Sequence, residues 1–328
     1  MKAKYQNLFL LFGLALFVLM ATQLDFHEVY EGVRHAGYWF GAVIGLWALL
    51  YVFNTTAWYL IIRANSREKI PFWWLYKVTI SGFALNYATP GGLMGGEPYR
   101  IMELSPLIGA ERATSSVLLY AMTHIFSHFW FWLLSALVFI AVTPLTPALA
   151  LLIAAIIGFS VLGLWLFMAG YRKGLAVRVM NFVRHLPFVK RWATGFVETH
   201  RAQLDNIDHQ IAALHRQNRR TFISAVLLEL SCRVCSALEI YFVLRVLMPS
   251  VDYLDCVLVL AFTSLFANLL FFMPLQIGGR EGGFLMSVTG LGMSTTAGIF
   301  VALIIRLREL VWTGLGLLFI KVGRRKRA

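Results

Sequence analysis

Pro90-Gly91-Gly92-Leu93-Met94-Gly95-Gly96-Glu97-Pro98-Tyr99-Arg100 and Pro274-Leu275-Gln276-Ile277-Gly278-Gly279-Arg280-Glu281-Gly282-Gly283 repeat one device in the two halves of a 328-residue chain. Each is preceded by an asparagine, Asn86 or Asn268, and each joins paired glycines to a glutamate and an arginine. Both lie amid long apolar runs. Glycine-broken backbone and ionised side chains are costly in lipid and persist there only where they are buried in protein or line a wet cavity. Finding so costly a device once in each half is the sequence signature of a transporter built from repeats.

The surrounding composition places both stretches in a membrane. The chain is 59% apolar with a mean hydropathy of +0.71, whereas globular domains hold about 45–50% apolar residues. The net charge of +13 does not point to nucleic acid, because the basic residues cluster at the ends of apolar runs, where topology and anionic headgroups account for them. Lys2 and Lys4 precede an apolar run from Leu8 to Thr22. No small-residue cleavage site of the Ala-x-Ala type follows, so this run reads as a retained first span rather than a signal peptide. Cys232, Cys235 and Cys256 are the three cysteines. The first two have redox or zinc spacing, but they sit in an apolar helix without a second Cys/His pair and read as small buried hydrophobes.

Charge sets the topology. Apolar runs occupy 8–22, 38–62, 72–89, 114–142, 148–170, 221–247, 256–273 and 284–320, and a span needs about 20 residues. Five segments (the N-terminus, 63–71, 103–112, 171–220 and 321–328) carry 21 lysines and arginines, whereas 23–37, 143–147 and 248–255 carry only Arg34. This bias puts both termini in the cytoplasm. It follows that 72–112 must leave the cytoplasmic face and return to it, and that 256–296 must do the same from the opposite face. The predicted fold is therefore an all-α polytopic membrane protein. It is a helical bundle with two re-entrant broken-helix hairpins in an inverted-topology repeat. The chain reads as one transmembrane domain, 1–328. Its first half, 1–170, holds hairpin 72–112, and its second half, 221–328, holds hairpin 256–296. Two full crossings per hairpin satisfy the same parity. The connector 171–220 carries an amphipathic stripe, Leu204, Ile207, Ile211 and Leu214. A helix on the anionic inner leaflet and a connector packed under the bundle fit that stripe equally.

The candidate site follows from the two apices. Gly95-Gly96-Glu97-Pro98 looks like a helix start with Arg100 one turn in, and Gly282-Gly283 opens a second start beside Arg280. A glycine-lined helix N-terminus in low dielectric suits an anion, and arginine offers phosphate a forked partner. The expected substrate-binding set is Asn86, Pro90, Gly92, Gly95, Gly96, Glu97, Arg100, Asn268, Pro274, Gly278, Gly279, Arg280, Glu281 and Gly282. Arg306 and Glu309 join it, because spacing three puts them on one face toward the cavity and turns Arg308 away. An ionised residue at a span centre costs about 2.5–3.5 kcal/mol on insertion scales. Glu229 and Arg233, four apart, can pair, with Glu239 further along the same helix. His124 and His128 read as satisfied core histidines, with a proton relay or metal pair as the sharper alternative. No cofactor and no catalytic group is called for.

Pro-Gly-Gly-x-x-Gly-Gly-Glu-Pro-x-Arg at 90–100, Pro-x-x-x-Gly-Gly-x-Glu-Gly at 274–282 and an arginine in the final span resemble the flippase-like transmembrane domain of lysylphosphatidylglycerol synthases. The resemblance covers nearly the whole chain. It implies translocation of a lipid between leaflets through a cavity built from two re-entrant hairpins. Those synthases continue into a soluble aminoacyl-transferase domain, whereas this chain reaches Ala328 after Lys321 to Arg327, so a stand-alone member without that domain is expected. The expectation is then a lipid translocase moving a phospholipid or other phosphate-bearing, anionic lipid in the bacterial cytoplasmic membrane. It has no ATP-binding loop of the Gly-x-x-x-x-Gly-Lys-Ser/Thr type, and a separate lipid-modifying enzyme is its candidate partner. The alternatives are an integral-membrane enzyme acting on a lipid headgroup and a non-catalytic partner of a lipid synthase.

Overall fold

The computed structural model describes residues 26–66, 68–88, 95–144, 146–173, 219–269, 279–291, 293 and 295–322. The first span at 8–22, the stripe at 204–214 and the glycine apices at 89–94 and 270–278 fall outside these residues. The described residues form helices and no strand: α1 (Phe26–Ala36), α2 (Tyr38–Asn65), α3 (Phe72–Ala88), α4 (Gly96–Ile108), α5 (Ala110–Val142), α6 (Pro147–Lys173), α7 (Arg219–Leu247), α8 (Tyr253–Leu269), α9 (Gly279–Gly290) and α10 (Thr295–Val322). The protein is an all-α, multi-pass membrane protein. Among the described residues four helices, α2, α5, α6 and α7, are long and apolar enough to cross a bilayer. The 27-residue stretch Tyr38–Ala64 of α2 extends about 40 Å at 1.5 Å per residue, more than the ~30 Å of hydrocarbon.

The helix breaks are set locally. Gly37 (φ 55°) separates α1 from α2, and Gly109 (φ 88°) turns α4 straight into α5. Both angles lie where a Cβ is strained, so glycine is needed there. Pro147 opens α6 at a first-turn position that needs no N–H. The apolar run 284–320, continuous in sequence, is divided by the 291–294 break into α9 and α10.

Two runs correspond in order, length and packing. Helices α2, α3, α4 and α5 have 28, 17, 13 and 33 residues, and α7, α8, α9 and α10 have 29, 17, 12 and 28. Within each run the second and third helices pair, and the third packs on the fourth. The long helices α2 and α7 lie along each other, and α3 lies along α10. One core cluster joins Trp58, Ile61, Leu75, Leu104 and Tyr120 around α3 and α4. A second joins Val43, Ile240, Val259, Phe284 and Ile304 around α8 and α9. The short arms α4 and α9 span about 20 and 18 Å at 1.5 Å per residue. Outward faces are apolar: Leu151, Leu152, Leu162, Trp165 and Leu166 of α6 are exposed, as lipid-facing positions should be.

Close backbone approach explains particular glycines. A Cβ on Gly82 would run into the Arg100 guanidinium, and one on Gly316 would meet Ile80 O at 2.9 Å. Ser81 Oγ donates to Gly316 O at 2.7 Å, tying α3 to α10. At Gly96 a Cβ would meet the carbonyl of Gly82 and the Asn86 amide. Backbone oxygens cannot step aside, so Gly96→Ala should destabilise the protein by about 1–3 kcal/mol, the usual range for overpacking. Gly45→Ala meets open space and should leave stability unchanged. Thermal unfolding of detergent-solubilised protein compares the two, and equal midpoints would show that the α3–α4 approach does not constrain the fold.

Candidate functional site

A cavity of about 300 Å³ opens in the bundle between α2, α3, α5, α7, α8 and α10. At ~30 Å³ per water it has room for about ten waters, or for a polar headgroup without its acyl chains. Helical spacing builds its walls. From α7 come Glu229, Cys232, Arg233, Ser236 and Glu239, and from α10 come Ile305, Arg308, Glu309, Trp312 and Thr313. In each helix these positions follow intervals of three and four, so they form one face. His124 and His128 of α5 and Trp47, Tyr51 and Asn54 of α2 complete that side. Asn86 and Tyr87 at the end of α3 and Asn268 at the end of α8 also line the cavity, so both hairpins bring their apical asparagine to it.

The buried charges form two networks. In the first, Glu229 accepts from Asn54 Nδ2 at 3.0 Å and lies 2.7 Å from His124 Nδ1. Arg233 does not take the i+4 pairing with Glu229 that the spacing offers. Its Nε donates to Ser127 Oγ at 2.9 Å, one terminal nitrogen lies 2.7 Å from His128 Nε2, and the other donates to His124 O at 3.0 Å. The two helices α5 and α7 are close enough for the guanidinium to cross between them. In the second network, Arg308 donates to both oxygens of Glu239 at 2.7 and 3.0 Å and stacks 3.8 Å over the Trp47 ring. Trp47 Nε1 donates to Glu239 at 2.9 Å, and Tyr87 Oη donates to Glu309.

The final span corrects the expected face. Arg308, not Arg306, looks into the cavity with Glu309. The pair 306/309 does satisfy a spacing of three. However, the packed seam of α10 runs through Ile305, Arg308, Glu309, Trp312 and Thr313, and Arg306 lies off it, half-buried. His124 and His128, read as core histidines, are cavity-lining groups with charged partners. Their partners sit on α7, about a hundred residues away, so nothing local in the sequence announces them.

The other expected residues fall in two groups. Gly95 and Gly96 are buried, and Gly96 N–H donates to Asn86 Oδ1 at 2.7 Å. Asn86 Nδ2 in turn donates to Glu97 at 2.9 Å. Arg100 is 3.2 Å from Glu97, donates to Thr79 O at 3.3 Å, and lies among the rings of Trp58, Phe83 and Tyr120 at 5.7, 4.6 and 5.4 Å. It is buried behind Phe83 and outside the cavity lining. Asn268 Nδ2 donates to Ser264 O at 2.7 Å. Gly279, Arg280, Glu281 and Gly282 make the first turn of α9. Pro90, Gly92, Pro274 and Gly278 lie outside the described residues.

The family model described as the lysylphosphatidylglycerol synthase TM region matches residues 8–316, nearly the whole chain, and the chain belongs to that family. No curated protein and no solved structure matches it.

Removing one partner of a buried ion pair costs about 3–5 kcal/mol because it strands the other charge, whereas replacing both often costs little. Glu239→Gln and Arg308→Met should each lower thermal stability more than the double variant does. A double-mutant cycle on unfolding midpoints measures this, and simple additivity would show that the two side chains do not depend on each other.

Proposed function

We propose that this family member moves a phosphate-bearing lipid between the leaflets of the bacterial cytoplasmic membrane, with the headgroup passing through the cavity while its tails stay in the bilayer. The observation that carries this reading is a headgroup-sized space inside a membrane bundle, lined on separate helices by carboxylates, guanidinium groups and imidazoles. The barrier to flipping is the loss of headgroup hydration. Fixed charges and dipoles of both signs replace that hydration, and the pairing between them keeps the walls stable when the headgroup is absent.

The two hairpins are assigned as re-entrant elements of an inverted repeat whose tips meet at the cavity. Short arms of 13 and 12 residues in α4 and α9, the matched helix lengths of the two halves and the cavity position of Asn86 and Asn268 support this. The positive-inside bias supports cytoplasmic termini. Phosphate contact falls to Arg233, Arg308 and, from the first turn of α9, Arg280 with Glu281 and Gly282. Glu97 and Arg100 hold the first hairpin in shape around Asn86 and Gly96. An anionic phospholipid is the ligand in this reading, and a separate lipid-modifying enzyme is the partner that would supply it.

Protein reconstituted into vesicles with headgroup-labelled phosphatidylglycerol should speed exchange between leaflets. Arg308→Lys keeps a charge but loses the fork that spans both Glu239 oxygens. A charge-assisted hydrogen bond contributes about 1.5–3 kcal/mol, so the rate should fall on the order of tenfold or more. Cysteines placed at the exposed positions Glu31 and Ser250 should react with a periplasmic thiol reagent, and those at Asn65 and Gln217 should be shielded. Exchange at the protein-free rate would sink the translocase, and labelling of Gln217 from outside would sink the inverted repeat.

A further inference from the structure

His124 is the cavity residue whose bonding is asymmetric. Its Nδ1 lies 2.7 Å from Glu229 Oε2, while Asn54 Nδ2 donates to the other carboxylate oxygen at 3.0 Å. An ionised carboxylate only accepts, so Nδ1 carries the proton and donates. Nε2 has no hydrogen bond among the described residues, and the imidazole, 30% exposed, lines the cavity. The neighbouring His128 differs, because both its ring nitrogens are engaged, Nδ1 with His124 O at 3.1 Å and Nε2 with Arg233 at 2.7 Å. An arginine only donates, so Nε2 of His128 accepts and this ring is held neutral. Of the two imidazoles, His124 alone can gain a proton without breaking a bond.

Charged groups of both signs surround His124. On α7, Glu229 favours the imidazolium, whereas Arg233, bonded to the His124 carbonyl, opposes it. Cys232 lines the same wall. From its own helix the His128 ring lies 5.1 Å away edge to face and the Tyr120 ring 6.3 Å away. From α3, Phe83 sits 5.9 Å away, and the Arg100 guanidinium of α4, 4.6 Å from that same ring, adds a further positive charge. Tyr51 and Asn54 face the cavity from α2, and across it lie Glu239, Arg308 and Glu309. Burial and the guanidinium groups are set against one close carboxylate, and an anion arriving at Nε2 adds a favourable term toward protonation.

We infer that His124, oriented by Glu229, is a proton-linked contact for a phosphate oxygen in the cavity. The imidazole takes a proton on Nε2 as the anion enters, donates it as a hydrogen bond, and returns it to water as the anion leaves. The inference deepens the translocase reading and rests on it for the source of the phosphate. Its chemistry stands apart from that reading, because proton-linked binding at Nε2 requires no transport.

The test uses full-length protein, ¹⁵N-labelled at histidine, in phosphatidylcholine nanodiscs. The chain has eight histidines, and the resonance lost in His124→Gln identifies this one. Adding short-chain phosphatidylglycerol should raise its titration midpoint, and Glu229→Gln should weaken that response while leaving the resonance visible. The Glu229→Gln arm keeps the test intact if His124→Gln fails to fold. A rise with phosphatidylglycerol alone places the phosphate on a lipid. A rise with inorganic phosphate as well supports the same site and shows that no lipid tail is needed. An unmoved midpoint with both, or an undiminished response in Glu229→Gln, would overturn the inference. Intact proton linkage in protein that fails to flip lipid would instead overturn the translocase reading.

Discussion

The bidentate contact between Arg308 and Glu239 decides what the interior of this protein can be. Either residue alone in a membrane bundle would be an uncompensated charge. Together, with Trp47 stacked on the guanidinium and donating to the carboxylate, they become a neutral unit that joins α2, α7 and α10. That unit lets the flanking positions of α10 stay polar. Glu309 then reaches the other way, to Tyr87 at the end of α3. Two adjacent residues of one helix thus connect both halves of the chain across the cavity.

The glycines do separate work from the charges. Gly82 and Gly96 let α3 and α4 approach closely enough for Asn86 to reach the first N–H of α4 and the Glu97 carboxylate together. A helix start buried in protein needs such a partner, since its first N–H groups have none within the helix. In this arm the asparagine amide fills the place that the apical anion-site argument gives to a ligand. Arg100, held by Glu97 and three aromatic faces, belongs to this support. The charged lining of the cavity lies further inward, on the faces of α5, α7 and α10.

The sequence carried the architecture well and the site only partly. Membrane character, the all-helical bundle and the position of the two helix breaks were legible because glycine, proline and charge act locally on backbone and topology. Asn86, Asn268 and Glu309, expected at the site, line the cavity. The misplacement of Arg306 has a different cause. A spacing of three is shared by several faces of one helix, and only packing against α3 and α7 selects the seam through Arg308. The pairs His124–Glu229 and Arg233–His128 bridge helices about a hundred residues apart, and no local pattern encodes such a contact. One signal was available: on α7, Glu229, Cys232, Arg233, Ser236 and Glu239 form a polar stripe at helical spacing inside an apolar helix. Such a stripe marks the wall of a cavity more reliably than any one charged pair within it.

The cavity walls also limit how the protein can work. Every charged lining side chain with a defined partner is bonded to a different helix, Arg233 to α5, Arg308 to α7, Glu229 to α2 and α5, and Glu309 to α3. On the proposed translocase reading, a headgroup entering this space would compete with bonds that hold helices together, which would couple binding and helix movement through the same atoms. An anion that drew Arg308 from Glu239 would loosen α10 from α7, and one that engaged Arg233 would loosen α7 from α5. Moving α10 shifts α3, because Gly316 and Ser81 lock their backbones. On the same reading α3 and α4 would follow the ligand through that backbone contact, while α6, which packs chiefly on α5, would take no part.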